Sequence, residues 1–146
     1  MKFDVITLFP ELIDCYCLSS IIGRARKQEI ISVNTVNPRD FTKDKHKTVD
    51  DTPYGGGAGM VLMCEPIFSA VESVEKTENF QIIMLTPQGK PFNQEAAVQL
   101  SKKDQLIMIC GHYEGFDERI REGIKPLEIS IGDFVLTGGE LGALCI

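Results

Sequence analysis

Two runs in this chain are apolar without a break: Ile82-Ile83-Met84-Leu85, entered through Gln81, and Leu106-Ile107-Met108-Ile109-Cys110. A strand with one face in water alternates apolar and polar residues, whereas a strand covered on both faces is apolar throughout. Helical patterns separate such strands here. Glu65-Pro66 places proline in a first turn, with Ile67, Phe68, Val71 and Val74 on one face. Asn93 is placed to cap a helix carrying Ala96, Ala97 and Leu100. Buried strands alternating with helices predict an α/β fold, a mostly parallel sheet flanked by helices. Further strands are expected at residues 3–8, stopped by Pro10, at 30–36 and at 128–131. Leu12, Ile13 and Tyr16 predict one short apolar helix face; Ile21, Ile22 and Ala25 predict a second, capped from Ser19-Ser20. Asp117 starts another short helix.

In open α/β sheets, ligands collect outside the carboxyl ends of the strands. Three predicted strands end in loops that carry Pro87 (the turn 86–89), Gly111 and Gly132, so these loops make one candidate pocket. Glycine clusters reinforce the point. Of thirteen glycines, four fall within residues 50–60 and three within 130–140. Glycine weakens helices and strands, and such clusters suit places where a ligand touches bare backbone. Residues 37–59, which run into the first cluster, lack apolar periodicity, and a loop that long inside a compact domain is usually functional.

Charge is divided unevenly. The net charge is −6, yet residues 24–47 hold seven basic side chains against three acidic ones. Such a patch on an acidic background can meet phosphates. At 146 residues one domain is expected. No run reaches the roughly eighteen apolar residues of a membrane span, and Asp4 and Glu11 do not suit a signal peptide. Five irregularly spaced cysteines predict reduced, mostly buried thiols in a cytoplasmic protein.

Several chemistries fail. A dinucleotide fingerprint built on Gly55 and Gly57 would need its third glycine at Met60. Gly89-Lys90 is followed by Pro91 and so lacks the hydroxyl residue of a phosphate loop. Metal ligation is not expected, because His46 and His112 are the only histidines and Cys15-Tyr16-Cys17 has no zinc spacing. Nothing local supports a hydrolase nucleophile beside its base. An uncharged, glycine-lined pocket reads a ligand mainly through main-chain groups. That suits the adenine edge and amino-acid tail of S-adenosyl-L-methionine better than a triphosphate.

The segments Asn37-Pro38-Arg39-Asp40-Phe41, Asp44 through Asp51, Pro53-Tyr54-Gly55-Gly56-Gly57 and Gly59-Met60 resemble the bacterial tRNA (guanine-N1)-methyltransferase family. So do Pro87-Gln88-Gly89, Gly111-His112-Tyr113-Glu114-Gly115 with Asp117-Glu118-Arg119, and residues 130–141. The resemblance implies the SPOUT architecture with a trefoil knot at the cofactor pocket, and a homodimer with a shared active site. It implies S-adenosyl-L-methionine as methyl donor to N1 of guanine 37, in the anticodon loop of tRNA. Cofactor contacts would come from Pro87, Gly111, Tyr113, Glu114, Ile131, Gly132, Asp133, Phe134, Val135, Leu136, Gly138 and Gly139. Arg24, Arg39, Lys45, His46, Lys47, Asp50 and Gly59 would face tRNA. Asp50 and Glu114 are candidates for supporting catalytic roles, Glu114 preferably as a ligand to the cofactor's amino group. His112 stands where many relatives carry arginine. In the family a general-base aspartate, an arginine and a helical tRNA-binding domain follow the position of Ile146. The expectation is therefore a cofactor-binding part that is inactive alone. The rival class is a non-catalytic RNA-binding module in which the basic segment acts and the glycines are structural.

Overall fold

A computed structural model of the chain describes residues 1–53, 55–56 and 59–146. In chain order the elements are β1 (Lys2–Ile6), α1 (Pro10–Cys17), α2 (Ser20–Lys27), β2 (Ser32–Val36), β3 (Asp50–Asp51), β4 (Val61–Leu62) and α3 (Cys64–Ser73). Then come β5 (Phe80–Pro91), α4 (Gln94–Leu100), β6 (Gln105–Cys110), α5 (Glu118–Ile124), β7 (Leu127–Ser130) and α6 (Glu140–Cys145). A five-stranded sheet has the order β2-β1-β6-β5-β7, and every pairing in it is parallel. β3 and β4 form a separate antiparallel pair.

The unbroken apolar runs occupy the middle of the sheet, because only there must both faces be dry. β6 is buried at every position. Alternate side chains feed two cores. Val5, Ile83, Leu85, Leu106 and Met108 pack with Ile13, Leu100 and Ala143 on one side. Ile6, Met84, Ile107 and Ile109 pack with Ile67, Val71 and Ile120 on the other. Each such side chain contributes roughly 1.5–3 kcal/mol on burial.

One buried carboxylate interrupts this apolar packing. Asp4, 3% exposed, accepts hydrogen bonds from Gln105 Nε2 at 2.7 Å and Asn34 Nδ2 at 3.2 Å, with Lys2 Nζ at 3.5 Å. Gln105 accepts in turn from the Thr77 N–H at 2.8 Å.

Several sequence expectations need correction. Residues 86–89 do not reverse the chain: β5 continues to Pro91, and its register with β7 shifts between Leu85 and Lys90, both paired with Ile129. The turn-forming residues are absorbed as a bulge. Leu12, Tyr16 and Ile21 are exposed, whereas Ile13, Cys17 and Ile22 turn toward the core, so each expected face of α1 and α2 is only in part the inward one. Ser19 sits at the N-cap of α2 but makes no side-chain cap; its hydroxyl donates back to the Cys15 carbonyl at 3.5 Å. Asn93 and Asp117 do cap, accepting from Ala96 N and Arg119 N. All five thiols are free, but Cys15 and Cys145 are exposed. The 37–59 segment holds a 3-10 turn at Pro38–Phe41 as well as β3. Among the described residues no helix is long and apolar enough to cross a membrane.

The segment after β7 folds back onto the end of β6. Gly139 N–H donates to the Gly111 carbonyl at 2.8 Å. A Cβ on Gly139 would lie 2.7 Å from Cys110 Cα and 2.8 Å from Gly111 N. Only glycine permits that approach without moving main chain. Gly139→Ala should cost about 1–3 kcal/mol in a denaturant titration, as overpacking does. At α5, Arg119 hydrogen bonds hold the Asp117 carboxyl well below the usual carboxylate range. A depressed folded pKa stabilises above the unfolded value of about 3.9 and is lost as pH falls. Asp117→Ala should therefore cost about 1 kcal/mol at neutral pH, with the gap from the parent protein closing below about pH 4.

Candidate functional site

Because the strands run one way, the carboxyl ends of β1, β5, β6 and β7 share one edge of the sheet. A cleft opens there between the bulge of β5 and the loops after β6 and β7. Leu85, Thr86 and Pro87 form one wall, residues 111–115 a second, and Ile129 through Gly132 with residues 134–139 the third. Gly142 of α6 closes the floor. All the candidate cofactor residues line this cleft except Asp133, which lies outside it. Six of the lining residues are glycines, and Glu114 is the one acidic side chain among them. The space open to water is about 140 Å³, small beside the roughly 300–1,000 Å³ of most ligand sites. The ring of Phe134 accounts for part of this, since it folds onto Gly132. That side chain is exposed, as are Val135 and Leu136, so a rotamer change opens the cleft without unpacking the core.

The loop after β6 is held in an uncommon conformation. Tyr113 has φ +59° and Gly115 φ +128°. For tyrosine the left-handed region costs on the order of 1–3 kcal/mol and persists only where surrounding contacts impose it. Those contacts come from β4 and the glycine-rich stretch. Glu114 N–H donates to Met60 O at 2.9 Å, Leu62 N–H to Gly115 O at 2.9 Å, and Asp117 N–H to Leu62 O at 3.1 Å. Gly59 therefore lies directly against the Glu114 side chain. Asp50 stands opposite Leu62 across β3 and β4. The first glycine-rich stretch thus packs on loop 111–115, while the second lines the cleft on the other side of that loop. Tyr54, Gly57 and Ala58, within the first stretch, lie outside the described residues.

The basic segment reaches the same rim through Arg39. Its Nη2 donates to the Tyr113 hydroxyl at 3.3 Å and its Nη1 to the Lys47 carbonyl at 2.9 Å. Lys47 Nζ pairs with Asp40 at 3.2 Å. Asp44 organises the turn between them by accepting from the Thr48 hydroxyl, at 2.8 Å, and from the His46 N–H. The Thr48 bond, ahead of the backbone ones, lowers the Asp44 pKa. Lys45 and His46 are left exposed. Arg24 stands apart: it is exposed on α2, and no residue of that helix lines the cleft.

Sequence motifs assign no side-chain role to Thr7, Phe9 or Glu140, which lie at this edge; Thr7 and Phe9 follow β1, and Glu140 opens α6. Thr7 hydroxyl donates to the buried Glu140 carboxylate at 2.6 Å and accepts from the Phe9 N–H at 2.9 Å. His112 lies between two rings, Phe9 at 5.1 Å and Tyr113 at 4.8 Å. The parallel direction of β1 and β6 was the available clue. Cys110 beneath them is no nucleophile, because burial first and the Glu140 charge second push its thiol well above its ordinary pKa.

The profile described as tRNA (Guanine-1)-methyltransferase TrmD matches residues 1–146. A tRNA (guanine-N(1)-)-methyltransferase of Ruminiclostridium cellulolyticum is 55% identical over 148 residues, covering 100% of this chain and 64% of its own. One from Staphylococcus carnosus is 56% identical over 144 residues, covering 99% and 59%. One from Synechococcus sp. (strain JA-2-3B'a(2-13)) is 53% identical over 146 residues, covering 100% and 58%. The chain thus spans 58–64% of the length of these relatives. It belongs to the tRNA (guanine-1)-methyltransferase TrmD family.

Proposed function

We propose that this chain binds S-adenosyl-L-methionine in this cleft and takes part in methyl transfer to N1 of guanine 37 in the anticodon loop of tRNA. The observation that carries the reading is the convergence of the β5 bulge at residues 85–87 with the glycine-bearing loops after β6 and β7 on one nearly uncharged cleft, with the basic segment hydrogen-bonded to its rim. The donor set fits this cofactor. Main-chain groups of Pro87, Gly111, Ile131, Gly132, Leu136, Gly138 and Gly139 would read the adenine edge, while apolar walls exclude water. Glu114 would accept from the cofactor's amino group. No lysine or arginine lines the cleft among the described residues, which disfavours a nucleoside triphosphate. When bound, the cofactor supplies an electrophilic sulfonium methyl.

The chain's own task is mainly positioning, since displacement at a methyl needs alignment more than covalent help. N1 of guanine carries a weakly acidic proton that a base must remove as charge develops on O6. Asp50 and Glu114 are assigned supporting roles there. A splayed anticodon-loop base can enter such a site, and Arg39, Lys45, His46, Lys47 and Gly59 form the rim that would meet it. Arg24 would touch tRNA only outside that rim. The knotted topology of the superfamily belongs to the same proposal, supported by the return of residues 132–139 against the ends of β5 and β6. So does a homodimer: Leu12, Tyr16, Leu18 and Ile21 are 52–68% exposed on α1, α2 and their junction, a large apolar face for a second copy to cover. A cytoplasmic location accords with the free thiols.

S-adenosylmethionine at about 100 times its Kd should stabilise the protein by roughly 2.7 kcal/mol, which raises Tm by several degrees in a thermal scan. No shift, or a larger one with ATP or NAD, would sink the assignment. Steep salt-dependent tRNA binding without any cofactor response would favour the RNA-binding module instead. Lys45→Ala should weaken tRNA binding and reduce the slope of log K against log salt by about 1; an unchanged slope would remove Lys45 from the interface.

A further inference from the structure

We infer that Glu140 is a positioning residue of the cleft: its carboxylate accepts a buried hydrogen bond from Nδ1–H of His112 and so pins loop 111–115 against residues 132–139. Glu140 opens α6 and is only 5% exposed. A buried carboxylate is costly unless its oxygens are hydrogen-bonded. Oε1 has the Thr7 hydroxyl at 2.6 Å. Oε2 lies against Gly138, on the spot where a side chain at that position would begin, and His112 Nδ1 lies 3.1 Å from the same spot. His112 Nδ1 is buried and has no hydrogen-bond partner. One oxygen with spare acceptor capacity and one orphaned imidazole nitrogen therefore flank the gap that glycine leaves. Pairing them across that gap would satisfy both, which is the normal state of buried polar groups.

The surroundings favour this pairing. Thr7 just after β1, Cys110 from β6 and His112 face the carboxylate, and among the described residues no lysine or arginine is shown bonded to it. His112 and Gly138 already form an antiparallel bridge. Donation from Nδ1 fixes one tautomer, with Nε2 as acceptor, and holds the ring between Phe9 and Tyr113. Tyr113 and Glu114 follow directly in the chain, so the pair sets where both stand. The bond itself stands on geometry alone; its consequence for ligand binding rests on the cofactor assignment.

Ring-nitrogen NMR of the unliganded chain tests the bond, with the His112 signals identified by their loss in His112→Phe. Nδ1 should carry the proton. In Glu140→Gln one carboxylate oxygen becomes an NH2 group, which donates and cannot accept; with the remaining oxygen held by the Thr7 hydroxyl, the tautomer preference should be lost. Calorimetry with S-adenosylhomocysteine tests the consequence. His112→Phe, which keeps the ring stacking, and Glu140→Gln should each weaken binding about tenfold, and the double variant should be no weaker than the worse single one. A proton on Nε2 alone in the parent chain, or fully additive losses, would overturn the inference. Should Glu140→Gln not fold, the parent tautomer decides. If the parent chain binds no S-adenosylhomocysteine, the cofactor assignment fails and the NMR result still decides the pairing.

Discussion

The segment after β7 rests its main chain directly on the main chain at the end of β6, and the cleft exists because of that contact. With Gly139 N–H bonded to Gly111 O at 2.8 Å, residues 132–139 cannot drift away from residues 111–115. The glycine-rich stretch then zips onto the far side of the same loop through Met60 and Leu62. Loop 111–115 is consequently gripped from two directions, which is what a left-handed Tyr113 requires. Main chain held at this spacing offers donors and acceptors in fixed positions, and fixed dipoles cost little to reorganise when a ligand arrives.

The same architecture separates two kinds of recognition. Inside the cleft the walls are apolar and glycine-rich, suited to an uncharged ring and its edges. Outside, the segment 39–47 presents lysines and arginine, suited to phosphates. Arg39 belongs to both, since one guanidinium nitrogen touches Tyr113 of the cleft and another the carbonyl of Lys47. A change in how Tyr113 sits is therefore felt by the basic segment through one hydrogen bond, of modest strength because it is exposed.

Much of this was legible in the chain. Ile82 through Leu85 and Leu106 through Cys110 lacked polar alternation, which demanded two covered faces, and both lie in the centre of the parallel sheet. Asn93 reads correctly as a cap and Asp117 as a helix start, because both depend on local spacing. What failed depended on tertiary context. Leu12, Tyr16 and Ile21 have apolar side chains at helical spacing, but periodicity does not say which stripe meets the sheet. Residues 86–89 carry turn chemistry that a neighbouring strand converted into a bulge. The hydrogen bond from Thr7 to Glu140 spans 133 positions of sequence, and no local pattern announces a contact that only the folded chain creates.

Asp4 has an effect beyond its own hydrogen bonds. Parallel strands made of isoleucine, leucine and methionine are nearly interchangeable in alignment, and a neighbour can slide along them with little loss of dispersion energy. Shifting β1 by one position would turn this carboxylate toward Val5's side of the sheet, among Leu106 and Met108, where no amide waits for it. Gln105 and Asn34, bonded to it from β6 and β2, thus act as a polar latch that makes misaligned assembly expensive and keeps the strand tips level at the far edge.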